Sequence, residues 1–202
     1  MHDKTTITSL IMEQAYESLA LAIDANKENK VSREVQLSIN INLLLGIAME
    51  GVINELSESL LDKWTYKQLE KATTPLKWKI ISSLKNNGFT ADKEPLQTII
   101  NLKKIRDEIA HPKSENQGND VIIASKETRE INPKDDYVLP TQDFEVYIGF
   151  GELKEKYNAK KSLEYMRKAM VGTKQIRDLF GLTKMFSWID SLENRLKQVK
   201  LD

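Results

Sequence analysis

Residues 101–113 read NLKKIRDEIAHPK, and the rest of the chain is organised around them. Leading into and through this stretch, Leu96, Ile99, Leu102, Ile105 or Arg106, and Ile109 recur at the three-to-four spacing of a helix with one buried face. Pro112 lacks an amide hydrogen, so regular helix cannot continue past it, and it pushes His111 toward extended backbone. Arg106 is therefore expected on the last full turn, with His111 at the helix end or just beyond. Partial negative charge gathers at a helix C-terminus, which favours an imidazolium and tends to raise a histidine pKa. His111 is the only histidine besides His2. A permanent cation and a group that titrates near neutrality, side by side, can bind a phosphate and move a proton.

Upstream, residues 41–56 read INLLLGIAMEGVINEL and are apolar nearly all round, the pattern of a helix buried on every side. The spacing predicts this second helix over about 33–63, with Ser32 as its N-cap and a place at the centre of the core. Gly46 and Gly51 inside it cost about 1 kcal/mol each relative to Ala, a cost that close approach of another helix offsets. Glu50 falls in the same apolar stretch, where an unpaired carboxylate is expensive. It either points to solvent or pairs with a cation from another helix, and Arg106 is the natural candidate.

Further out, a first helix is predicted over about 5–29, with Ile7, Leu10, Ile11, Ala15, Leu19, Ala22 and Ile23 as its apolar stripe. Thr65 is expected to cap a short helix reaching Ala72. Thr74-Pro75 opens another that stops before Gly88, and Pro95 opens the helix that carries Arg106. After Pro112, the polar run SENQGND interrupts the pattern. VIIAS (121–125) and DYVLP (136–140) read equally as two short strands or as irregular loop. Helical spacing returns from Gln142, is disturbed at Gly149 and Gly151, and resumes through Tyr157. One helix then ends near Gly181, and a last one carries Trp188, Ile189, Leu192, Leu196 and Val199. Met166, Met170 and the tryptophans read as core or partner-helix contacts. The fold class is all-α, a bundle of about five to seven helices with one long loop or small hairpin insertion. Residues 1–112 form the helical core, 113–140 the insertion, and 141–202 C-terminal helices on the same core.

Composition narrows the function. The 202 residues carry thirty basic and thirty acidic side chains, so no global field recruits nucleic acid and RNA binding needs a local patch. The absence of cysteine excludes disulfides, thiolate metal sites and cysteine nucleophiles. No basic region followed by a long apolar run opens the chain, and the most apolar segment, 39–53, is short for a bilayer. A cytoplasmic protein without membrane attachment is expected. One useful histidine with no H-x3-H or paired-carboxylate spacing gives too few ligands for a metal. No glycine-rich phosphate loop and no G-x-S-x-G occur either, so neither metal nor cofactor is expected.

What remains is acid–base chemistry by His111 with Arg106 holding an anion. RNA brings its own nucleophile, the 2′-hydroxyl, and needs only its deprotonation, stabilisation of the phosphate and protonation of the leaving 5′-oxygen. One chain supplies a single histidine for two proton transfers; a symmetric dimer supplies two. Lys103, Lys104 and Lys113 lie close enough in sequence to form the local basic patch.

The segment Arg106-Asp-Glu-Ile-Ala-His111 resembles the R-x4-H motif of the HEPN superfamily, and the apolar helix with an internal acid upstream of it fits the same family. Asp107 stands where the family most often has Asn. The resemblance covers roughly residues 1–112. It implies a metal-independent endoribonuclease, a toxin–antitoxin or phage-defence effector, with Arg106 and His111 catalytic in the composite cleft of a homodimer. It further implies Asp107 as a tuning or orienting residue, RNA as substrate and an antitoxin as partner. HEPN folds also serve as non-catalytic dimerisation and interaction modules, and that alternative stands beside the first.

Overall fold

The computed structural model describes residues 6–85, 88–110 and 150–200. Helices α1 (Ile7–Lys27), α2 (Val31–Leu60), α3 (Lys63–Glu70), α4 (Thr74–Ser83), α5 (Leu96–Ala110), α6 (Phe150–Lys156), α7 (Ala159–Leu179) and α8 (Trp188–Gln198) make an all-α bundle. The insertion expected over 113–140 lies outside the described residues.

The axis of the bundle is α2. Ile41, Leu45, Ala48, Met49, Val52, Ile53 and Leu56 are buried along it, and α1, α3, α4, α5, α6 and α7 all pack against it. At 30 residues it is twice the length of its most apolar segment. Its best 18-residue window, of mean hydropathy 1.4, would serve to cross a membrane by length and composition alone. In this bundle half of that window is buried under other helices.

Local chemistry sets the boundaries, and several differ from the sequence expectations. Asn29 turns left-handed (φ 56°), and Lys30 N–H closes α1 on Ala25 O at 2.8 Å. The second helix therefore begins at Val31, which leaves Ser32 inside its first turn rather than at its cap. It ends at Leu60 because Asp62 takes over as N-cap of α3, accepting from Trp64 N (2.9 Å) and Thr65 N (3.1 Å). Thr65 is not that cap; its hydroxyl donates to Asp62.

In α1 the first turn is rotated from the expected stripe. Ile7 and Leu10 are exposed, while Thr8 and Met12 face inward. Thr8 is drawn there by its hydroxyl bond to Glu55 of α2, and Gly51, opposite, leaves the room. Trp78 of α4 is fully buried, with its indole N–H donating to Met49 O at 3.0 Å. Met166 and Met170 are core. Trp64, in contrast, stands 71% exposed on α3.

The C-terminal helices join the same core. Asn158 caps α7 by accepting from Lys161 N, and buried Glu34 of α2 accepts from Ala159 N at 3.0 Å. The far end of α7 closes at Gly181 (φ 67°), where Leu182 N–H reaches back to Arg177 O. Arg195 of α8 is paired with Glu13 and lies over the Tyr16 ring at 4.4 Å, which ties α8 to α1. Glu34, Ser38 and Asn42, one turn apart on α2, form a buried polar seam. Neither amide atom of Asn42 has a partner among the described residues.

Candidate functional site

Two groupings of polar side chains lie on opposite faces of α5. Successive residues of a helix are about 100° apart. Leu102 and Ile105 face inward, Arg106 meets α2, and Lys104 and Glu108 turn away toward α6 and α7.

The first grouping is built on Gly46. A Cβ there would lie 3.3 Å from Leu102 O and 3.4 Å from the Arg106 Cβ, so the missing side chain is what lets α5 run close along α2 at Arg106. One turn further along α2, Glu50 accepts a hydrogen bond from Arg106 Nη1 in a close ion pair. Asp107 takes the opposite edge of the guanidinium through Oδ1, 3.4 Å from Nε and 3.2 Å from Nη2. Lys103, one turn back, is paired with Asp107 in turn. The four side chains are 26–39% exposed, so the cluster forms a polar floor at the surface of the α2–α5 groove.

The electrostatics follow from this geometry. Burial works against the charged guanidinium, but the bonds and charges of Glu50 and then Asp107 outweigh it, and the Arg106 pKa is raised. The Lys103 hydrogen bond, with that of Arg106 behind it, holds the Asp107 carboxyl below its ordinary value against an opposing burial effect. The two cations and two anions cancel. A guanidinium has five N–H donors, of which three are committed among the described residues, leaving two for a further acceptor.

Thus Arg106, Glu50, Asp107 and Lys103 come together, and the suspected Glu50–Arg106 pairing forms. Lys104 does not join them. His111 and Lys113 lie outside the described residues, although α5 carries the chain to Ala110, immediately before His111.

The second grouping is a cleft of about 370 Å³ between α5, α6 and α7, which the sequence reading missed. Lys104 and Glu108 of α5 face Lys156 of α6 and Lys161, Glu164 and Lys168 of α7 across it, with Ile105 and Tyr165 as its apolar wall. Lys156 is paired with Glu108 at 2.6 Å, which raises the lysine pKa. Lys168 is paired with Glu164 at 2.8 Å and Glu94 at 3.3 Å, again with a raised pKa led by the Glu164 bond. A signal was present in the spacing of Lys161, Tyr165 and Lys168, which repeat on one face of α7 opposite its Met166–Met170 stripe. Nothing in that spacing reveals which helix completes the cleft.

Comparison with protein-family models, with curated proteins and with solved structures returned no match.

Proposed function

We propose that the chain is a metal-independent endoribonuclease of the HEPN type, a toxin or phage-defence effector, with Arg106 and His111 as its catalytic pair. The observation that supports this reading is the setting of Arg106. It sits where α5 crosses Gly46, is braced by Glu50 and Asp107, is partly open to solvent, and has two N–H donors without a partner among the described residues, five positions before His111. An arginine immobilised by acids on two sides is pre-oriented, so a phosphate meets a fixed fork rather than a flexible chain. Asp107 and Glu50 act in this reading as positioning residues.

The reaction divides the work between two histidines. One imidazole removes the 2′-hydroxyl proton as the 2′-oxygen attacks the adjacent phosphorus. The bond from phosphorus to the 5′-oxygen breaks, and an imidazolium gives its proton to that leaving oxygen. The products are a 2′,3′-cyclic phosphate and a 5′-hydroxyl. Arg106 offsets the charge that grows on the non-bridging oxygens. Because one chain carries one such histidine, the competent form is a homodimer with both motif helices at one cleft. Leu76 and Ile80 of α4 and Leu84 at its C-cap form an exposed apolar stripe, a surface of the kind a second copy covers. A cytoplasmic RNA target and an antitoxin that restrains the enzyme belong to the same reading.

A second reading rests on the same cluster. Lys103, Arg106, Glu50 and Asp107 sum to zero charge, and a neutralised arginine suits a non-catalytic dimerisation or interaction module. Expression in a bacterial host separates the two. The nuclease reading expects growth arrest by the wild type, relieved by Arg106→Ala or by His111→Ala at equal protein level. Harmless wild-type protein, or arrest that persists in both variants, counts against it.

A further inference from the structure

The cleft between α5, α6 and α7 lies on the other face of α5 from Arg106 and has its own charge logic. Of its four lysines, Lys156 is compensated by Glu108, and Lys168 by Glu164 with Glu94 behind it. The Lys161 ammonium donates to the backbone carbonyl of Glu155, which carries no formal charge. Lys104 makes no ion pair among the described residues. Among the described residues two ammonium groups therefore face the cleft without a carboxylate partner, one from α5 and one from α7.

A ligand that answers both carries about two negative charges on one compact group. A phosphate monoester does so, with a charge of roughly −1.5 to −2 at pH 7. The cleft volume of 370 Å³ stands at the small end of ligand pockets, which run from roughly 300 to 1,000 Å³. Beside the lysines, Ile105 and the half-buried ring of Tyr165 offer an apolar wall. A planar or apolar group attached to the phosphate gains by leaving water against that wall.

We propose that this cleft binds a small phosphate monoester, its dianionic group bridging Lys104 and Lys161 and its organic part lying against Ile105 and Tyr165. Lys156 and Lys168 hold Glu108 and Glu164 aside, so neither rim acid is paired with Lys104 or Lys161 among the described residues. The site is separate from the Arg106 cluster and does not depend on RNA cleavage.

Titration calorimetry with three probes tests this on the intact protein: phenyl phosphate, inorganic phosphate and acetate. Saturable binding in the millimolar range or tighter is expected for phenyl phosphate, weaker binding for inorganic phosphate and none for acetate. Lys104→Gln and Lys161→Gln should each weaken phenyl phosphate about twofold to fivefold, the effect of one partly solvated ionic contact. Tyr165→Leu should bring phenyl phosphate down to the affinity of inorganic phosphate. Lys67→Gln, at an exposed position of α3 away from both groupings, should change nothing and serves as control for loss of a single charge. No saturable binding of phenyl phosphate overturns the proposal. So does equal binding of acetate, or an equal loss in Lys67→Gln.

Discussion

Replacing Gly46 by alanine and by valine sets helix propensity against packing at the place where α5 is brought to α2. Propensity alone favours both, by about 1 kcal/mol for Ala and less for β-branched Val. Packing opposes them. An added Cβ lies 3.3 Å from the Leu102 carbonyl oxygen and 3.4 Å from the Arg106 Cβ, so alanine requires α5 to yield by a few tenths of an ångström. The two effects nearly cancel, and Gly46→Ala is expected within about 0.5 kcal/mol of wild type. Valine adds two methyl groups against a backbone carbonyl that cannot swing aside. Overpacking of that kind costs about 1–3 kcal/mol, which leaves a net loss of about 1–2 kcal/mol after the smaller propensity gain. Urea unfolding followed by circular dichroism at the helical band reads both differences, with the slope checked for constancy. A valine variant as stable as the wild type would refute the close approach of α5 to Gly46, and with it the bracing of Arg106.

Other consequences are smaller but as definite. Asn42 is fully buried with both amide atoms unpaired among the described residues, so Asn42→Leu should stabilise the fold by about 1–2 kcal/mol in the same urea assay; a loss of that size would mean that the amide holds internal water. Asp107 has a lowered carboxyl pKa, so its pairing stabilises the protein above the unfolded value of 3.8 and is lost as pH falls through the lower native value. The stability gap between wild type and Asp107→Asn should accordingly be present at pH 6, stay under about 1 kcal/mol because the pair is partly solvated, and close under more acid conditions. A gap that widens in acid would contradict the assignment.

Much of this was legible from spacing. Pro95 opens α5 at Leu96, and the apolar rhythm through Ile105 forms its buried side, because proline chemistry and helical period act locally. The centrality of α2 and the Glu50–Arg106 pair were also readable, since a carboxylate in an apolar helix needs a cation. What escaped was decided by partners distant in sequence. Ile7 and Leu10 gave up the core face because Thr8 finds Glu55 and the gap at Gly51, contacts no local pattern encodes. Asp62 displaced Thr65 as a cap through competition between two acceptable residues three apart. Lys103 and Lys104 were joined in one patch although neighbouring helical residues point about 100° apart. The period separates them, one to Asp107 and the other to the α7 cleft.

The nuclease reading is tested most directly by incubating the purified protein with mixed cellular RNA in EDTA and analysing the product ends. The wild type should cleave and leave 2′,3′-cyclic phosphate and 5′-hydroxyl termini. Folded His111→Ala should be slower by about a hundredfold or more, the usual contribution of a general acid or base. Intact RNA with folded wild-type protein, or cleavage undiminished in His111→Ala, would contradict Arg106 and His111 as a catalytic pair.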